Sequence, residues 1–152
     1  MKTRLVDCVG YLVNNAIGYL EDDLPRMVKT PWQEEEMPFE IAAELGTKKV
    51  IVDHSTVGII ITTDGSISDI PRSEYESAEE RVVTELNEIN KPFIILMNTA
   101  NPYDEYAISM AEELSNKYNS TVIPINCLEM NLEDINNIFS NICLAYLLTC
   151  MQ

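Results

Sequence analysis

Arg4-Leu5-Val6-Asp7-Cys8-Val9-Gly10 sets an aspartate directly after an apolar pair and a glycine three positions further on. The pair predicts a buried strand that delivers Asp7 at its carboxyl end. In nucleotide hydrolases a D-x-x-G of this kind puts one carboxylate near Mg²⁺ and one backbone N–H where a terminal phosphate sits. Asp7 is therefore a candidate catalytic and metal-binding residue, and Gly10 a candidate phosphate contact. The same tetrapeptide also reads as an aspartate capping a turn, with Gly10 permitting the bend. A phosphate-binding loop of the form G-x-x-x-x-G-K-[ST] would precede such a strand, and the 152 residues contain none. The expectation is an N-terminally truncated nucleotidase domain, with residues 1–152 as one partial domain.

Working outward, residues 11–38 hold Gly18, Pro25, Pro31, Pro38 and the clusters Glu21-Asp22-Asp23 and Glu34-Glu35-Glu36, with no sustained period. They read as a loop-rich insert. Residues 39–53 fit a helix loosely, because Gly46 falls inside it. Val57 to Thr62 is a β-branched run of the kind covered on both faces in a parallel sheet, and it ends in the turn Thr63-Asp64-Gly65-Ser66. From Ser73, apolar residues about four apart predict a helix that Asn90-Lys91-Pro92 stops. A second apolar strand over 93–97, a helix over 105–118, a strand over 121–126 and a helix over 132–148 complete the pattern. Strands alternating with amphipathic helices predict an α/β fold with a predominantly parallel sheet and helices on both faces. Ligands on such sheets bind beyond the carboxyl ends of the strands, so the loops after Asp7, Thr62, Asn98 and Asn126 are the ones to inspect.

The composition narrows the partners. With 25 acidic against 10 basic residues the formal charge is −15, which repels phosphate backbones and anionic lipid over most of the surface. Nucleic acid is thereby an unlikely ligand. Cys8, Cys127, Cys143 and Cys150 show no C-x-x-C spacing and suit a reducing cytoplasm. Arg4 and Asp7 interrupt any signal-peptide core. The late apolar run from Ile142 to Met151 is about half of the roughly 20 residues that span a bilayer. A protein without a transmembrane segment is expected.

The loop after Met97 departs from a known pattern. Guanine-specific enzymes of the Ras and translation-factor type carry N-K-x-D here, and this chain has Asn98-Thr99-Ala100-Asn101. An asparagine amide offers one acceptor and one donor, which mismatches guanine and suits the adenine edge. Asn98 and Asn101 are the candidate base contacts, although Asn101 equally reads as a turn residue before Pro102. Tyr11 stands where Ras-like enzymes place a water-orienting Gln, and a phenol cannot replace that amide. His54, the single histidine, reads better as a helix-end or solvent-facing residue than as a catalyst. The acidic clusters read as solvated faces. Trp32 reads as packing the insert onto the core.

These blocks, taken together, resemble one family. The match runs through Arg4 to Tyr11, Pro25-Arg26-Met27, Thr30-Pro31-Trp32, Ala42-Ala43-Glu44-Leu45-Gly46-Thr47 and His54-Ser55-Thr56-Val57-Gly58. It continues through Ile61-Thr62-Thr63-Asp64-Gly65, Glu79-Glu80-Arg81-Val82 and Lys91-Pro92-Phe93-Ile94. Over about residues 3–140 the chain looks like the stage IV sporulation protein A family of spore-coat morphogenetic ATPases. The resemblance implies a P-loop NTPase fold of the translation-factor GTPase-like type, with ATP as substrate, Mg²⁺ as cofactor and Asp7 as the Walker B acid. It also implies self-assembly into the basement layer of the spore coat, on the outer forespore membrane in the mother-cell cytoplasm, with a small amphipathic membrane peptide and coat proteins as partners. The segment alone is expected to be inactive, and residues 143–152 depart from the family pattern. Two rival readings remain: a non-catalytic assembly module of the same fold, and an unrelated receiver- or phosphatase-type domain with Asp7 as phosphate acceptor.

Overall fold

The computed structural model describes residues 3–13, 16, 18, 20, 21 and 24–151, and the chain divides into two units, 1–55 and 56–152. In the first unit β1 (Leu20–Glu21) pairs antiparallel with β2 (Leu24–Pro25), and β3 (Met27–Thr30) with β4 (Gln33–Pro38). Residues 11–38, read as loop-rich, thus carry two hairpins. Their signal in the sequence is weak because Glu34, Glu35 and Glu36 are all exposed, so β4 shows no apolar alternation until Met37, which is buried.

α1 (Phe39–Lys49) runs straight through Gly46 and continues into a π-helical turn over Val50–His54. A glycine inside a helix costs about 1 kcal/mol relative to alanine. A Cβ at position 46 would meet the Trp32 indole at 3.4 Å, an ordinary van der Waals contact. Trp32 thus lies against α1, while 45% of its surface stays exposed, so the packing expected of it is only partial. Ala42, Ala43 and Thr47 form the buried stripe of the helix.

The buried strand expected through Leu5 and Val6 is corrected by the structure. Residues 3–13 carry no strand, and Leu5 and Val9 are 73% and 67% exposed. An apolar run becomes a strand only where a neighbour pairs its N–H and C=O groups. The ladders of this unit, among the described residues, are closed locally within the hairpins.

In the second unit, β5 (Gly58–Thr63), β6 (Phe93–Asn98) and β7 (Val122–Ile125) form a parallel sheet in that order, with Ile60 opposite Ile95 and Leu96 opposite Ile123. Between β5 and β6 lie a 3₁₀ turn (Arg72–Glu74) and α2 (Glu76–Glu88). α3 (Glu105–Tyr118) joins β6 to β7, and α4 (Leu132–Cys150) follows. Successive strand residues face opposite sides. Ile94, Leu96 and Ile125 pack with Ile138 of α4, whereas Met97 packs with Ala107, Ala111 and Leu114 of α3. Leu86 of α2 reaches the Gly58–Phe93 pair on the side of Met97. Helices on both faces of a parallel sheet, as the alternation predicted, are therefore present.

Local chemistry sets the helix ends. Asp104 caps α3 by accepting the Tyr106 N–H at 2.9 Å, and Asn119 ends it with φ 48°. Asn131 and Asp134 form a reciprocal capping box on α4. Between α2 and α3 sits a buried polar cluster: Arg72 Nη2 donates to Glu79 Oε1 at 2.7 Å, as does the Tyr118 hydroxyl at 2.7 Å. Glu79 is 4% exposed, and its Oε2 is buried with no hydrogen-bond partner. Burial first, then the bond to Glu79 and its charge, push the Tyr118 phenol up to about 12.

Removing a buried carboxylate leaves Tyr118 without its acceptor and Arg72 without its ion-pair partner, whereas the neighbouring Glu80 pairs with Lys117 on the open surface. Glu79→Ala is expected to lower unfolding stability by about 3–5 kcal/mol. Glu80→Ala is expected to leave the urea midpoint nearly unchanged. Equal midpoints for the two variants would contradict this account of the cluster.

Candidate functional site

The carboxyl ends of β5, β6 and β7 form a polar rim in the second unit. It begins at Thr63-Asp64-Gly65-Ser66. Gly65 has φ +90°, and a Cβ there would stand 3.0 Å from the Arg72 backbone nitrogen, so the turn requires glycine. The Gly65 N–H donates to Thr63 Oγ1 at 3.0 Å. This turn brings Ser66 back over Asp64, whose Oδ1 accepts the Ser66 N–H at 2.9 Å and the Ser66 hydroxyl at 2.6 Å.

Asp64 also joins two strands. Its Oδ2 accepts the Thr99 hydroxyl at 2.6 Å, from the loop that leaves β6. Thr99 is 1% exposed. Ser66 Oγ accepts the Ala100 N–H at 2.9 Å, and Thr99 Oγ1 accepts the Asn101 N–H at 3.3 Å. Partial burial is the largest influence on Asp64 and raises its pKa, but the hydroxyl bonds from Ser66 and Thr99 and the backbone donors outweigh it. The carboxyl therefore lies below the ordinary aspartate range.

The predicted base contacts fall on this rim with different surroundings. Asn98 is spent on the fold, because its Oδ1 accepts the Cys127 N–H at 3.0 Å and ties the β6 loop to the β7 loop. The Asn101 side chain is exposed at the crest, while its carbonyl accepts the Asp104 N–H at 3.1 Å. Asn126 adds a link at 3.4 Å to the Ala100 carbonyl. Burial raises the Cys127 thiol pKa above its ordinary value.

Asp7 and Gly10 belong to the first unit. Asp7 is exposed and accepts no hydrogen bond among the described residues. Gly10 has φ +84°, and its N–H donates to Thr47 Oγ1 at 2.9 Å, so this donor is engaged by α1. Thr47 is 2% exposed. His54 ends the π-helical turn in an exposed position, as the sequence indicated. Asp64, Ser66 and Thr99 were missed as a constellation. Their signal was D-G-S directly after a β-branched strand, which gives the turn but not its partner on the next loop.

Three parallel strands, helices on both faces and a polar rim at the strand ends define an open α/β domain. The chain belongs to the stage IV sporulation protein A family: the family described as Stage IV sporulation protein A, ATPase domain, matches residues 1–146. The chain is 47% identical over 149 residues to Stage IV sporulation protein A of Clostridioides difficile (strain 630), covering 98% of this chain and 30% of that protein. It is 50% identical over 135 residues to the protein of the same name from Bacillus subtilis (strain 168), covering 89% of this chain and 27% of that protein. The corresponding protein of Bacillus anthracis is 50% identical over 138 residues, 91% of this chain and 28% of the relative. The chain thus spans under a third of the length of these relatives. No solved structure matches it.

Asp64 yields a pH test. A carboxyl whose folded-state pKa is depressed adds stability that is fully present above the unfolded value of about 3.9 and lost as pH falls through the folded value. Thr99→Val removes one of the bonds that depress it. The variant is expected to lose about 1 kcal/mol at neutral pH and to show a shallower loss below about pH 4, read from urea midpoints against pH. An unchanged acid limb would contradict the role given to this bond.

Proposed function

We propose that this chain is part of the nucleotidase region of a sporulation ATPase that hydrolyses ATP to drive assembly of the basement layer of the spore coat. The observation that carries this reading is the family match, an ATPase domain spanning residues 1–146. The parallel sheet with its polar carboxyl rim supports the finer assignment to a P-loop NTPase fold of the translation-factor type. The names of the relatives support a role in sporulation.

Within that reading the residues divide the labour. Mg²⁺ is commonly held by one or two carboxylates together with substrate phosphates, and Asp7, exposed and accepting no hydrogen bond among the described residues, has that chemistry. When bound, the ion neutralises charge on the phosphoryl oxygens. Gly10 would offer its N–H to the terminal phosphate once the bond to Thr47 opens. Asn101 would present its carboxamide to the adenine edge. The sequence holds no G-x-x-x-x-G-K-[ST], so the phosphate cradle is not supplied by these residues. Hydrolysis is thus a property of the full-length protein.

The setting proposed for that protein is the mother-cell cytoplasm at the outer forespore membrane, with self-assembly, an amphipathic membrane peptide and coat proteins as partners. Among the described residues no helix is long and apolar enough to cross a membrane. A second reading, a non-catalytic assembly module, draws on the missing cradle motif.

Two measurements decide between the readings. In the full-length protein, Asp7→Ala is expected to reduce ATP turnover on the order of tenfold or more while leaving the thermal midpoint nearly unchanged; unaltered turnover would refute the metal assignment. The isolated 152-residue chain is expected to show no phosphate release from Mg-ATP. Robust turnover by it would overturn the division of labour.

A further inference from the structure

We propose that Asp64 is a positioning residue that organises the base-side loop of the nucleotide site, with Ser66 and Thr99 as its intermediaries; this rests on the nucleotidase reading above. The argument is one of hydrogen count. A hydroxyl has one proton to donate. Thr99 and Ser66 both give theirs to Asp64, at 2.6 Å each. Their lone pairs are thereby turned toward the amides of Asn101 and Ala100, at 3.3 and 2.9 Å. The carboxylate fixes the direction of two relays at once, each running from acid to hydroxyl to backbone N–H. The loop so held carries Asn101, whose carboxamide stands exposed at the crest.

A carboxamide at position 64 cannot serve both relays. It offers an oxygen on one side and an NH₂ on the other, so one hydroxyl meets a donor where it had an acceptor, and its own proton loses the partner that fixed its direction. One charge-assisted bond that orients the relay is then lost, with almost no change in side-chain volume. The chemical class of ligand that feels this is the base of the nucleotide, read by one donor and one acceptor, and not its phosphates.

The test uses the full-length protein and two probes, Mg-ATP and inorganic tripolyphosphate, titrated calorimetrically. Asp64→Asn is expected to weaken Mg-ATP about tenfold, the loss of one charge-assisted bond, while tripolyphosphate affinity changes less than about twofold. Ser66→Ala, an exposed site where misfolding is no concern, is expected to shift Mg-ATP in the same direction by a smaller factor. Unchanged Mg-ATP affinity in both variants, or equal weakening of both probes, would overturn the assignment of Asp64 to the base side. If the unaltered protein fails to bind Mg-ATP at all, the nucleotidase reading itself falls, and that result is distinct from the other two.

Discussion

Burial of β6 between two parallel neighbours is the constraint on which the second unit depends. Ile94, Ile95 and Met97 have no exposed surface, so every backbone N–H and C=O in this stretch must find a protein partner. β5 supplies one ladder and β7 the other, with Thr121 accepting from Ile95 and Ile125 accepting from Thr99 at 2.9 Å each. Because both edges of the strand are committed, the loop that leaves it starts from a fixed point. Asn98 and Thr99 therefore emerge at set positions and can serve as anchors for the neighbouring loops.

Two carboxylates show how the same charge takes different tasks in different surroundings. Glu79 is sealed between helices and answers to Arg72 and Tyr118, so it holds α2 and α3 together. Asp64 is only partly covered, and the hydrogen bonds it accepts from Ser66 and Thr99 outweigh the effect of its burial. The first is a bolt in the wall of the domain. The second governs the shape of a loop at the surface where ligands approach sheets of this kind. Most of the remaining acidic residues, including Glu34 to Glu36 on β4, stay in water and contribute the net charge of −15.

The legibility of the chain follows from how local each signal is. Helices α3 and α4 could be read to within a residue or two because their periods and caps lie within one segment. β5 and β6 were equally plain as continuous apolar runs, but only β6 is covered on both faces, because Ile61 of β5 is 61% exposed. β3 and β4 were missed because a solvated hairpin leaves no apolar alternation to see. Leu5 and Val6 looked like a buried strand and are exposed, because hydrophobicity reports a wish for burial and not the presence of a pairing partner.

Residue order alone determined the alternation of strands and helices, the parallel sheet, the loops that carry Asn98 and Asn101, and the family of the chain. Each of these depends on pattern or on contiguous motifs, which a linear string records. Tertiary structure decided that Asn98 is spent on Cys127, that the Gly10 N–H is taken by Thr47, and that Asp64 reaches Thr99 across two strand ends. Those contacts join residues 29 to 37 positions apart, and no local rule pairs them. The folded backbone brings them within hydrogen-bonding range, and only there does the geometry choose which donor meets which acceptor.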